Sequence, residues 1–366
     1  MRFPEFSGEW EMASLQDIAA INPKSDQLQN TFIYIDLEAV EKGELRKIQE
    51  IMREEAPSRA QRVINNNDIL FQCVRPYQKN NYIHKILNTS NQQWVASTGY
   101  AQIRTTESPN YIYHLLNTDG FNRKVMVRCT GSSYPAINSE DLATIRFYYT
   151  PDKKEQFKIS RLLDLIDERI ATQNKIIEDL KKLKSAISER LFKGIEGSFV
   201  LLSDICDIVK GKQINGENLS ESGNYYVMNG GTEPSGYYGD YNVDANAISI
   251  SEGGNSCGYV QFNTSPFWSG GHCYSIQNIA DNVNNLYLYH YLKSNEDVIM
   301  KLRIGSGLPN IQKKDLAMFK IKVPAIEQQI TISTFLSSLE RKAEIEERIQ
   351  NAMLKEKQYL LHQMFI

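Results

Sequence analysis

Paired cysteines, long apolar runs and an excess of basic charge are all missing from this sequence. The five cysteines (Cys73, Cys129, Cys206, Cys257, Cys273) are odd in number and scattered, and none forms a C-x-x-C pair. That spacing argues against both a disulfide framework and a cysteine-held metal. No apolar stretch nears the roughly 18 residues of a membrane-spanning helix, and no secretory leader is visible. The expectation is a protein of the reducing cytoplasm with no membrane partner. A formal net charge of −3 and a pI near 6.1 lack the basic signature of many nucleic-acid binders. That is a weak veto, because binding depends on a local patch that acidic helices elsewhere can mask. The five histidines show no metal-ligand spacing and read as ordinary residues. His272 and Cys273 are neighbours, but adjacent strand residues point to opposite faces, so they do not make a nucleophile pair.

What is present is a doubled stretch. With 366 residues, 41% hydrophobic and 23% charged, the chain is long enough for two or three domains with real cores. Residues 150–193 and 323–366 superpose with an offset of 173: Ile159-Ser160 falls on Ile332-Ser333, Leu163 on Leu336, and Leu191-Phe192 on Met364-Phe365. Ahead of each lies a related phrase, Ser133-Tyr-Pro-Ala-Ile137 with Asp141-Leu142 and Gly307-Leu-Pro-Asn-Ile311 with Asp315-Leu316. The chain therefore divides into 1–150, a helix over 151–193, 194–322, and a second helix over 323–366.

Both helices carry a seam in alternating steps of four and three. In the first it runs Ile159, Leu163, Ile166, Ile170, Gln173, Ile177, Leu180, Lys184, Ile187, Leu191; in the second Ile332, Leu336, Leu339, Ala343, Glu346, Gln350, Met353, Lys357, Leu360, Met364. Polar seam residues lower stability but help to select register and partner. Lys184 and Lys357 coincide in the alignment and read as register or partner contacts. A second apolar stripe (Leu162, Leu165, Ile176, Leu183) leaves the first helix apolar on more than one side. This predicts that the helices pair with each other and keep surface for helices of another protein. About 35 residues of helix span roughly 50 Å. Two such helices packed antiparallel predict a pseudo-twofold arrangement, with 193–198 as the return linker.

The parts between are β-rich by residue type. Residues 31–35, 68–74 and 94–104 are expected strands in the first, and 225–228, 247–251, 259–262 and 267–276 in the second. Residues 1–10 read as a turn-rich lead-in, and 14–21 as a short helix with Ser14 as a candidate N-cap. Residues 109–116 and 286–294 each suit a further short helix. Trp94, Tyr100 and Trp268 are expected in cores. The fold class is α+β.

Taken in order, these phrases resemble the specificity (DNA-recognition) subunits of type I restriction–modification systems. The resemblance covers the whole chain. It rests on the doubled domain–helix order, on Phe3-Pro-Glu-Phe with Glu9-Trp-Glu11 and Leu15-Gln-Asp-Ile18, and on Ile248-Ser-Ile-Ser-Glu-Gly-Gly-Asn-Ser-Cys-Gly-Tyr-Val260 with Pro266-Phe-Trp268. Gly305-Ser-Gly-Leu-Pro-Asn-Ile311 and Pro324-Ala-Ile-Glu-Gln-Gln329 complete it, echoed at 131–137 and 151–156. It implies two target-recognition domains separated by two long antiparallel coiled-coil helices, reading a bipartite site on double-stranded DNA. It also implies two methyltransferase subunits docked along the helices and restriction subunits joined through the complex. S-adenosylmethionine, ATP and Mg would then belong to those partners, with no cofactor or metal in this chain. The residues agree: there is no Asn-Pro-Pro-Tyr motif and no Gly-x-x-x-x-Gly-Lys-Ser/Thr loop.

DNA binding needs cations and backbone N–H groups for phosphates and Arg, Asn, Gln or Ser for base edges. The candidates are Arg75, Tyr77, Gln78 and Lys79 in one loop; Arg123, Lys124, Arg128 and Ser132 before and within the first Gly-Ser phrase; Asn229 in a Gly-rich turn; Gly253, Gly254, Asn255 and Ser256; and Lys301, Arg303 and Ser306 at the second Gly-Ser phrase. No catalytic residue is expected. The competing reading is a coiled-coil adaptor that binds proteins and not DNA, motivated by the seam and the acidic pI.

Overall fold

The computed structural model describes residues 2–85, 92–305 and 307–365. They form two compact units, one made of Met1–Asn174 with Ile349–Ile366, the other of Lys175–Arg348. Among the labelled helices are α1 (Pro109–Leu116), α2 (Asp119–Arg128), α3 (Lys153–Gly194), α4 (Asn285–Ser294) and α5 (Ile326–Met364). The long helices are 42 and 39 residues. Each unit is thus an α+β body plus a segment from both.

In the first unit the sequence alternation yields two four-stranded sheets. One has Gln49–Met52, Thr31–Ile35, Gln93–Ser97 and Ala60–Ile64 in that order, with the central pair parallel. The other orders Ala19–Ile21, Tyr100–Thr105, Ile69–Gln72 and Tyr82–Ile83, all antiparallel. In the second unit an antiparallel sheet of Asp207–Lys210, Cys273–Gln277, Ala247–Ser251 and Val260–Asn263 lies beside a smaller one around Tyr225–Met228. The expected helix over 14–21 is cut short. It covers Leu15–Ile18, and Ala19–Ile21 is a strand paired to Ile103–Thr105. Asp17 takes both the N–H (2.7 Å) and the hydroxyl (2.6 Å) of Ser14, which fixes one turn and no more. The lead-in is tied down too, because Arg2 grips the buried Glu155 carboxylate in a two-point pair at 2.6 and 2.7 Å. Tyr100 is fully buried, whereas Trp94 and Trp268 are only half-buried.

The seam is as the spacing predicts: none of its twenty positions is exposed. Pairing runs antiparallel within each unit. In the first, Lys357 reaches Asp167 at 2.5 Å and Gln350 reaches Asn174, so numbers rise along one helix as they fall along the other. In the second, Lys184 meets Glu340 and Lys181 meets Glu347, both at 2.6 Å. With the offset of 173 the pairs Lys184–Glu340 and Lys357–Asp167 are the same contact made twice. The polar notches therefore set register, as polar coiled-coil positions do.

Each core is closed by helix ends far away in sequence. Leu361, Met364 and Phe365 pack with Ile159, Leu163, Tyr111 and Trp10 in the first unit. Phe192 and Ile195 pack with Ile332, Leu336, Tyr287 and Tyr291 in the second. A buried glutamine fixes each α+β body to its long helix. Gln156 accepts from the Ser108 N–H (3.0 Å) and donates to the Thr150 carbonyl (2.7 Å) and to Glu107 (2.6 Å). Gln329 accepts from the Asn284 N–H (2.8 Å) and donates to the Pro324 (2.8 Å) and Asn282 (3.0 Å) carbonyls. Ser108 and Asn284 are the N-caps of α1 and α4, so the same clamp is built twice. Gly197 lies in the return linker, where a Cβ would stand 2.8 Å from the Val323 carbonyl oxygen.

Candidate nucleic-acid interface

The loops singled out in the two halves occupy one frame. In the first unit the strand Ile69–Gln72 runs on to Cys73, whose carbonyl accepts from the Ile137 N–H at 3.0 Å. Val74 bridges Ala136, the Arg75 N–H donates to the Pro135 carbonyl (2.8 Å), and Thr130 and Ala136 exchange hydrogen bonds at 2.9 Å, closing a hairpin. In the second unit Glu252 accepts from Ile311 (2.8 Å), Gly253 bridges Asn310, Gly254 donates to Pro309 (3.0 Å), and Ile304 and Asn310 close the hairpin at 2.9 and 3.0 Å. The Pro-Ala-Ile and Pro-Asn-Ile phrases do more than join body to helix: they hold the candidate loops. Arg75 and Gly254 are equivalent positions, and both are left-handed, at φ 55° and 78°. The conformation is ordinary for glycine and strained for arginine, and such strain gathers at functional turns.

In the first unit the Arg75 guanidinium lies over the Tyr134 ring, 4.5 Å from its centroid. Tyr77 and Gln78 are exposed beside it, and Gln78 accepts from Gln72 at 3.0 Å. Lys79 is tied to Asp119 (2.6 Å) and to the Asn117 carbonyl (3.2 Å). That hydrogen bond, with help from Arg123, holds the Asp119 carboxyl below its usual range. Along α2 the cations divide. Arg123 is exposed, whereas Lys124 donates to the Arg146 carbonyl (2.8 Å), and Arg128 to the Asp141 carbonyl (2.8 Å) and the Thr144 hydroxyl (2.7 Å). Lys124 and Arg128 are exposed as well and keep further N–H donors beyond these bonds. Ser132 is exposed in the hairpin. A cleft of about 510 Å³ opens against this loop, lined by Gln72, Val74, Arg75, Gln78, Asn80 and Arg46 among others.

In the second unit the Gly-rich turn at 253–256 meets the turn at 228–232. Ser251 donates from its hydroxyl to the Gly230 carbonyl at 2.8 Å, and a Cβ on Gly230 would sit 3.1 Å from His272 and 3.3 Å from the Gly253 carbonyl. Asn229 accepts from the His272 N–H at 3.0 Å, which makes it a brace of the turn. Asn255 is exposed, and so are Lys301 and Arg303 on the approach to the hairpin. Ser306 lies outside the described residues.

Several residues of this neighbourhood carry little signal in sequence. Tyr134 and Leu308 occupy equivalent hairpin places, 64% and 87% exposed. His272 is exposed within 3.8 Å of Glu252, whose buried carboxylate takes Lys210 (2.6 Å) and the Tyr274 hydroxyl (3.1 Å). Only contact across strands shows these groupings; the doubled Tyr-Pro and Leu-Pro phrases were the one available hint. Cys273 is buried, and burial pushes its thiol up to about 11, which suits a core residue and not a nucleophile. Among the described residues no three His, Cys, Asp or Glu side chains gather as a metal site, and no helix is long and apolar enough to cross a membrane.

The fold and these loops define a class: a tandem α+β protein with one loop frame used twice and a paired-helix framework. The family profile described as type I restriction modification DNA specificity domain matches residues 7–182 and 196–355. The chain belongs to that family. It is 32% identical over 145 residues to a protein named as a type I specificity subunit in Mycoplasma pneumoniae, covering 39% of this chain and 38% of that one. It is 22% identical to a protein so named in Mycoplasma genitalium, covering 59% of each. These matches take in less than two thirds of either relative. The fold is that of the crystal structure of the type I restriction-modification S subunit from M. genitalium, with TM-score 0.69 and 16% identity over 98% of this chain and 96% of that one. A chain from a structural study of assembly and conformational transition of the type I R-M system matches at TM-score 0.60 and 21% identity, covering 97% of each.

Proposed function

We propose that this chain is the DNA-specificity subunit of a type I restriction–modification complex. Each unit reads one half of a bipartite site on double-stranded DNA. The observation that carries this is the repeated frame bearing unlike residues. Arg75, Pro76 and Tyr77 stand where the second unit has Gly254, Asn255 and Ser256, so one scaffold presents two chemistries, as two different half-sites require. Arg75, held over Tyr134, is the leading candidate for a base edge; Arg123, Lys301 and Arg303 are exposed for phosphates.

The chemistry of methylation and cleavage belongs to partner subunits in this reading, with S-adenosylmethionine, ATP and Mg. Two methyltransferase subunits dock on the long helices, where Leu165, Ile176 and Leu183 remain exposed beside a filled seam. Restriction subunits join through that complex. The test is to co-express the chain with its methyltransferase, replace residues 1–150 by another recognition domain, and map methylated sites. One half of the site is expected to change. Methylation indifferent to the swap would overturn the proposal, whereas steeply salt-dependent binding to one DNA sequence would exclude the protein adaptor.

A further inference from the structure

Resting on that DNA-reading function, we propose that Leu308 and its counterpart Tyr134 are wedges that press against a base step at each half-site. Both stand one residue before the proline of their hairpin. Leu308 is 87% exposed, an arrangement with no folding benefit for a leucine. The base of the hairpin is nevertheless held on both sides. Ile304 and Asn310 bond both ways, Gly254 donates to Pro309, and Ile311 behind them is fully buried. The surroundings match DNA: Lys301 and Arg303 are exposed on the approach, and Gly253 and Gly254 put bare backbone against the hairpin base. Gly307 next to Leu308 would meet nothing on gaining a Cβ, so the tip is open to a ligand.

The first unit repeats the device with different chemistry. Tyr134 is exposed at the same place and carries the Arg75 guanidinium on its face. An apolar wedge flanked by cations is the arrangement by which proteins unstack a base step and bend the duplex. Leucine supplies bulk alone, whereas tyrosine also supplies a stacking face and aims Arg75. The second unit is the cleaner case because the Leu308 side chain is 87% exposed.

The experiment uses the chain assembled with its methyltransferase partner and a duplex bearing its methylated site, with 2-aminopurine placed at successive positions of the second half-site. The wild-type complex is expected to raise 2-aminopurine fluorescence at one step. Leu308→Ser should abolish that rise and weaken specific binding about tenfold, leave non-specific binding unchanged, and be rescued by Leu308→Met. An unchanged fluorescence profile and affinity in Leu308→Ser overturns the wedge while leaving DNA recognition intact. Failure of Leu308→Ser to assemble with its partner also overturns it, since the tip would then be a protein contact. Absence of specific binding by the wild-type complex would defeat the underlying function instead.

Discussion

The two units share a framework almost contact for contact and differ in what the framework displays. Gln156 and Gln329 make the same clamp, Lys357–Asp167 and Lys184–Glu340 the same bridge, and Phe365 and Phe192 fill the same place against Tyr111 and Tyr287. The displayed loops diverge: a strained Arg75 beside Tyr134 in one, Gly254 beside Leu308 in the other. Identity is kept where packing demands it and dropped in the displayed loops. Even inside the framework one contact differs. His114 bonds Asp164 at 2.8 Å in the first unit, and its counterpart His290 bonds the Ser337 hydroxyl at 2.8 Å in the second. Burial pushes the Asp164 carboxyl up, but hydrogen bonds from His114 and Asn110 outweigh it and hold the group below its usual range.

The sharpest way to break the likeness is through the seam. Leu163 and Leu336 are equivalent and both fully buried. Leu163→Ala and Leu336→Ala should each cost about 2–5 kcal/mol, by lost burial and an uncollapsed cavity. Hydrogen exchange read unit by unit would check it. Each substitution should loosen its own unit first, and a loss spread evenly over both would show that they do not unfold as separate bodies.

Acid comes next, through one buried histidine in each unit. Burial drops the His290 imidazole to about 4, against 6.5 in the unfolded chain, with Glu340 opposing and Lys184 adding to the fall. The unfolded state therefore binds the proton first. The stability from a neutral His290 is complete above pH 6.5 and is lost as pH falls towards 4. Between pH 7 and pH 5 the loss should be about 2 kcal/mol. His84 in the first unit is also lowered to about 4 by burial, so each unit carries one such histidine. Denaturant unfolding of His290→Gln at both pH values should show the acid loss confined to the first unit. Undiminished acid sensitivity of the second unit would mean that His290 titrates normally.

Why the sequence revealed some of this and not the rest is a matter of distance along the chain. A helical seam is a local pattern, so Ile159 to Leu191 announced itself by spacing, and so did the exposed stripe through Leu165 and Leu183. Strands such as Thr31–Ile35 and Ala247–Ser251 were legible from residue type. The short helix at Leu15–Ile18 was overread because Ala19–Ile21 suit a helix locally but are taken as strand by Ile103–Thr105. The surroundings of the site residues are not local patterns. The bonds of Lys124 to the Arg146 carbonyl and of Arg128 to the Asp141 carbonyl cross 22 and 13 positions. Tyr134 gained meaning only through Arg75, fifty-nine positions earlier (134 − 75). Long-range pairing, invisible to a window of neighbours, decides which charges remain free for a ligand.

Arg75→Ala should weaken specific DNA binding by roughly 1–3 kcal/mol if the guanidinium meets a base, and relax the sequence requirement in one half-site alone. Competition binding against duplexes altered in either half would measure this. A uniform weakening across all sequences would instead make Arg75 a phosphate contact, and no change would remove the loop from the interface.

The smallest expected difference lies in the repeated bridges. Lys357 and Lys184 are partly exposed, as are Asp167 and Glu340, so solvent screens both pairs. Removing either lysine as Lys→Met should cost under about 1 kcal/mol. The two should still not be equal. In the second unit Glu340 also accepts from the Tyr289 hydroxyl at 3.0 Å, and the adjacent Lys181–Glu347 pair remains to hold register. Lys184→Met therefore leaves its carboxylate with a donor, and Lys357→Met should be the more costly of the two. Paired thermal unfolding of both variants, with Tyr289→Phe added to Lys184→Met, would decide it. The gap should close in the double variant, and a gap that persists would place the asymmetry elsewhere in the seam.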